Sequence, residues 1–146
     1  MRKTASLAAA LMIAAAALPA GADNDPMEQF LWSDRPIIIF APSKFDQRML
    51  DQIGRFSMHR KEYRDRDIKV IQIGGVNMRS DGRPVPHAPE MRERYDVAED
   101  EFTIILVGKD GGEKLRLHEV TDPRVFYDLI DSMPMRQQEM RREVDG

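Results

Sequence analysis

The fold is decided by PIIIFAPSKFDQRML, residues 36–50. Ile37 to Ala41 are apolar at consecutive positions and largely β-branched. A strand of that kind needs cover on both faces, as in the middle of a sheet packed by helices. Ser43 reads as an N-cap, with Asp46 three residues on completing a capping-box-like pair. A helix from about Lys44 to Glu62 then brings Phe45, Met49, Ile53 and Phe56 to one face, with Leu50 beside them. Strand-to-helix junctions of this type often hold the ligand or the reactive group of an α/β domain. Here the junction is Ser43, Lys44, Phe45, Asp46, Gln47 and Arg48, and none is an obvious nucleophile.

Outward from that junction the elements follow in a clear order. Phe30-Leu31-Trp32 is a short apolar patch ahead of the first strand. Ile68 to Ile73 forms a second strand, ended by Gly74-Gly75, and residues up to Pro89 form a loop or small hairpin. Pro89 to Tyr95 suits a short helix with proline in its first turn. Phe102 to Gly108 is a third strand, Lys109-Asp110-Gly111-Gly112 a tight turn, and Lys114 to Val120 a fourth strand. Asp122 caps a helix with Pro123 at its first position and Val125, Phe126, Leu129, Ile130 and Met133 on its buried side. Pro134 interrupts that helix, leaving a polar tail, about residues 134–146, that carries methionine and arginine.

The chain opens with Arg2 and Lys3, an uncharged run from Leu7 to Leu18, and the small residues Ala20-Gly21-Ala22. This is the three-part layout of a secretory signal peptide, with cleavage expected after Ala22. The apolar run is shorter than the ~20 residues that span a bilayer, so the expected product, residues 23–146, is exported to the periplasm or beyond as one domain. Cleavage takes Lys plus Arg from 22 to 20 and leaves Asp plus Glu at 25, so the net charge moves from -3 to -5. A mildly acidic chain with mixed charges is poorly suited to nucleic acid or anionic membranes. There is no cysteine, which excludes thiol redox chemistry, thiolate nucleophiles and cysteine-ligated zinc.

Strand–helix–strand, a short helix, an antiparallel hairpin and a closing helix resemble the thioredoxin arrangement. YDVAEDEFTIILVGKDGGEK, residues 95–114, resembles the second half of thioredoxins. On that resemblance, Lys44-Phe45-Asp46-Gln47 falls where the Cys-x-x-Cys pair would sit, and Phe102, before Thr103, takes the place of the facing cis-proline. Over almost the whole stretch after residue 22, the chain also resembles the exported thioredoxin-like family known as DUF4174. The residues that carry this are Phe30-Leu31-Trp32 with Arg35-Pro36, Leu106 to Gly112, and Ile130 to Met140. The resemblance implies a single α/β domain with a four-stranded mixed sheet, a parallel β-α-β half and an antiparallel β-β-α half, flanked by helices. It implies no activity.

Several candidate sites follow. At the junction, free N–H groups with Lys44 and Arg48 favour an anion or acidic peptide, although capping by Ser43 and Asp46 accounts for these residues without a ligand. His59, His87 and His118 are scattered, without the convergent spacing that a metal needs. Met133, Met135 and Met140 are soft groups of the type that binds Cu(I), but gap-filling explains them as well. Arg136 with Gln137, Gln138 and Glu139 reads as a solvated helical tail or, with Met135 and Met140, as a recognition tail. The leading expectation is a non-redox binding or adaptor module with no cofactor, whose groove between residues 42–47 and Phe102-Thr103 takes a protein or peptide. A catalyst of peroxiredoxin-like type that uses Lys44, Asp46 or a bound cofactor is the alternative, and a methionine-based copper carrier is the second.

Overall fold

β1 (Arg35–Ala41) is buried along its entire length, as its apolar run requires. The computed structural model describes residues 25–80 and 84–146, and the expected signal peptide lies outside the described residues. After a 3-10 turn at Pro26–Phe30 and β1 come α1 (Gln47–Ser57), α2 (Arg60–Asp65), β2 (Ile68–Gly74) and β3 (Asn77–Ser80). Then follow α3 (Ala88–Tyr95), β4 (Thr103–Val107), β5 (Glu113–Leu117), α4 (Pro123–Asp131) and α5 (Pro134–Asp145).

The sheet runs β3-β2-β1-β4-β5. β1 and β2 are parallel, with Ile37 opposite Val70, and the other neighbours are antiparallel. Five strands, not four, are present among the described residues. The additional one, β3, forms because the chain reverses at Gly75, whose φ of +62° lies in the left-handed region. It then pairs Met78 with Ile73.

Alternation along the strands splits the core in two. Ile37, Ile39, Ile104 and Leu106 meet Met49 and Phe56 of α1 and Phe126 and Ile130 of α4. On the opposite face Ile38, Phe40, Ile71 and Ile105 meet Met27, Phe30 and Met91. Each such side chain, fully buried, contributes about 1.5–3 kcal/mol before conformational entropy is counted.

The expected helix over 44–62 is two helices. Asp46, not Ser43, caps α1, accepting the Arg48 N–H at 2.9 Å. The Ser43 hydroxyl accepts the Phe45 N–H at 3.1 Å instead, a local turn that competes with helix. Phe45 therefore stands ahead of the helix, free of its period, and is 74% exposed. Leu50 and Val125, expected on buried faces, are also exposed. Past Phe56 the next apolar residue, Met58, is 79% exposed, and α1 ends at Ser57 ahead of the charged α2, whose Tyr63 packs back on the core. The expected cap at Asp122 and Pro123 at the start of α4 are both present. The tail is helical, α5, with Pro134 in its first turn.

Candidate functional site

The junction sits at the C-terminal end of β1 and is fixed from three sides. The Gly75 N–H donates to the Ala41 carbonyl at 3.0 Å. Beside it, Gly74 is pressed so closely on the loop that a Cβ there would lie 2.4 Å from the Cα and N of Lys44. Arg92 of α3, buried, donates to the same Ala41 carbonyl at 2.8 Å and to that of Ala98 at 2.9 Å, and lies 5.7 Å from the Phe40 ring. Burial lowers the Arg92 pKa, against the opposing charges of Glu99 and Glu101. Nothing local in the sequence marks Arg92 as a part of this end of the sheet. Its only signal is an arginine in a short helix that precedes a buried strand.

On this frame Arg48 donates to the Asp46 carboxylate at 2.7 and 3.0 Å. These bonds lower the Asp46 pKa, burial opposing and the backbone N–H groups assisting. The Arg48 guanidinium lies 5.0 Å from the ring of buried Phe102, so Asp46, Arg48 and Phe102 form one group. Lys44 and Phe45 form another, with the ammonium 5.0 Å from the ring centre. Ser43 and Gln47 are exposed. Thr103 is buried opposite Phe40, its hydroxyl 3.3 Å from His118 Nδ1. An ionised, arginine-bound carboxylate is a poor general base, because that role calls for a pKa near neutrality.

The tail candidates lie at the other end of β1. Arg136 is 5% exposed, donating to Asp131 at 3.2 Å and to the Asp65 carbonyl at 2.7 Å. It is thus turned inward rather than solvated. Beside it Arg35, 1% exposed, holds Glu139, and Lys109 reaches Glu139 at 2.6 Å and Asp67 at 2.8 Å. Arg66 completes the cluster on Asp131 at 2.7 Å. Met135 and Met140 are half-buried, and Met133 packs against the core. His59, His87 and His118 stay apart and exposed. Among the described residues no group of three or more histidines and acids is arranged to hold a metal ion.

A family model described as a domain of unknown function, DUF4174, matches residues 26–139, from the first turn through Glu139. The chain belongs to this family. This DUF4174 chain is 24% identical over 133 residues to coiled-coil domain-containing protein 80 of Danio rerio, covering 78% of the chain and 15% of that protein. It is 26% identical over 120 residues to the sushi repeat-containing protein SRPX of Rattus norvegicus, covering 78% and 26%. The chain thus spans about a quarter or less of these relatives. Among solved structures it is similar to a Plasmodium yoelii Prx1a modified at the N-terminus, with TM-score 0.56, 14% identity, and 77% and 80% of the two chains covered. A thioredoxin peroxidase I of Plasmodium yoelii gives TM-score 0.53 at 13% identity, with 75% and 78% covered. At these identities the likeness shows a thioredoxin-like fold and nothing about activity.

The stretches on which the DUF4174 resemblance rests converge in space. The Trp32 N–H donates to the Lys109 carbonyl at 2.7 Å, and Arg35, Lys109 and Glu139 share one ionic cluster. These residues hold the base of the sheet together rather than forming the junction.

Proposed function

We propose that this chain is a thioredoxin-like module without thiol chemistry that binds a protein or peptide at its strand–helix junction, outside the cytoplasm. The observation that carries the reading is Phe45, 74% exposed on a loop whose backbone is braced by Gly74. An exposed aromatic on a fixed backbone loses little entropy when a partner covers it, and aromatics anchor protein interfaces. The Lys44 ammonium beside it adds a donor for a partner's carboxylate. Thiol exchange is excluded by composition, and the lowered Asp46 pKa argues against an acid–base role at this junction.

The test is site-specific photo-crosslinking in the intact source cell, with the probe at Phe45 and a control at Val144, an exposed apolar residue of α5. One discrete protein adduct at position 45 and none at 144 is expected, and its absence at 45 sinks the reading. Export is checked separately by N-terminal sequencing of the mature chain, which is expected to begin at Asp23.

A further inference from the structure

The groove between α1–α2 and the β2–β3 hairpin has a volume of about 530 Å³, within the range of about 300–1,000 Å³ typical of ligand clefts. Its floor is apolar, from half-buried Ile53 and Tyr63 and the edges of Phe56 and Val70. Its rim is basic, from Arg60, Arg64, Lys69 and Arg79. The one acid among the described lining residues, Asp67, is already taken by Lys109 at 2.8 Å.

None of the four rim cations makes an ion pair or side-chain hydrogen bond with a described residue. Elsewhere Arg35, Arg48, Arg55, Arg66, Arg94 and Lys114 each have an acidic partner, so among the described residues the groove gathers half of the eight cations that have none. α2 separates its charges by face. Lys61 pairs with Asp65 at 3.7 Å, whereas Arg60 and Arg64, one turn apart, both line the groove. A chain of net charge -3 has therefore gathered around one apolar depression four cations with no acidic partner among the described residues.

We propose that this groove, a surface separate from the junction, binds an acidic peptide segment of a partner, its carboxylates meeting the four rim cations and its apolar side chains the floor. Carboxylates suit the planar arginine forks, and an apolar floor repels a bare polyanion but accommodates leucine or phenylalanine. Nucleic acid fits less well, because the described lining holds a single half-exposed ring, Tyr63, where base stacking calls for several, and the chain's net charge opposes long-range attraction.

The experiment is a selection on the immobilised chain from a random peptide library displayed on phage, followed by synthesis of the consensus peptide. Peptides rich in Asp and Glu around Leu, Ile or Phe are expected. The consensus peptide should lose about tenfold or more in affinity for the Arg64→Glu/Arg79→Glu variant and for the neutral Arg60→Gln/Arg64→Gln variant, and weaken with salt. Phe45→Ala and Arg141→Glu/Arg142→Glu should leave it unchanged. All altered side chains are exposed, and circular dichroism checks each fold. No enrichment, a neutral or basic consensus, or indifference to charge reversal overturns the proposal. So does loss of binding only in Phe45→Ala, or binding of an oligonucleotide or anionic vesicle in place of peptide.

Discussion

Glu139 of α5 accepts from both terminal nitrogens of Arg35, the first residue of β1, at 3.2 and 3.1 Å across 104 positions of chain. Lys109 shares the same carboxylate. The last helix is thereby tied to the central strand by charge more than by apolar contact, since among the buried residues of α5 there is one side chain, Arg136.

Glu139→Gln is expected to destabilise the fold, because it leaves the Arg35 guanidinium buried without its counter-charge. Breaking a fully buried pair costs about 3–5 kcal/mol. The Glu139 side chain is 21% exposed, so about 2–3 kcal/mol is expected here. Urea denaturation of the wild type and variant measures it. Glu143→Gln, on exposed α5 surface, serves as a control and should stay within about 0.5 kcal/mol. Equal midpoints for Glu139→Gln and wild type would show that the cluster contributes nothing net.

The same contacts predict acid sensitivity. Burial works to raise the Glu139 pKa, but the bonds from Arg35 and Lys109 outweigh it and the net direction is downward from 4.5. Asp131 behaves alike, with burial overcome by Arg66 and Arg136 and a net fall from 3.8. A carboxylate whose folded pKa is depressed adds stability that is present above its unfolded pKa and lost as pH falls through the folded one. Melting temperature should hold steady down to about pH 4.5 and then decline. Glu139→Gln, lacking one of these groups, should decline less steeply. A steeper fall in the variant would contradict the assignment.

How far the sequence discloses the fold depends on how local the deciding contact is. The unbroken apolar run of β1, the Asp122-Pro123 start of α4 and the turn at Gly111 each follow from neighbours within a few residues. At the start of α1, Ser43 and Asp46 both satisfy capping chemistry. Here the choice goes with distant packing of Gly74 on Lys44. β3 is short, polar and at the sheet edge, so it has almost no apolar period to detect. In the candidate site, the Asp46–Arg48 pair and exposed Phe45 are near neighbours, while Arg92 joins from 51 positions away. Arg136 sits in a polar segment that reads as solvated, and only the tertiary positions of Asp131 and the Asp65 carbonyl turn it inward.

Tyr127 carries a different kind of tension. Its ring is buried under the Arg66 guanidinium at 4.8 Å, yet its hydroxyl has no hydrogen-bond partner among the described residues. Burial pushes its pKa up to about 12 from 10, Arg66 opposing. An unsatisfied buried hydroxyl costs about 1–3 kcal/mol, so Tyr127→Phe should leave stability unchanged or raise it. The pH arm has a definite sign. A raised folded pKa means stability is retained below about pH 10 and falls as pH climbs from about 10 to 12. The phenylalanine variant should lose that alkaline contribution. Denaturation midpoints at neutral and alkaline pH decide the matter, and a clear loss of stability at neutral pH would reveal a partner for the hydroxyl.

Gly74→Ala tests the bracing of the junction itself. The added methyl would meet backbone atoms of Lys44 at 2.4 Å and of Ser43 at 2.8 Å, and backbone cannot move aside as a flexible side chain can. Overpacking of this kind costs about 1–3 kcal/mol, and the upper part of the range is expected here. The loop must then shift away from β2, taking Phe45 with it. By contrast, Gly54→Ala has nothing within 4 Å of its new methyl and lies inside α1, where alanine is favoured over glycine by about 1 kcal/mol. The two variants should move the urea midpoint in opposite directions. In Gly74→Ala, the Lys44 and Phe45 amide resonances should also shift strongly, while those of α5 stay in place. Wild-type stability in Gly74→Ala would mean that loop and strand are not in contact as described, and Phe45 would lose the fixed backbone on which its role as an anchor depends.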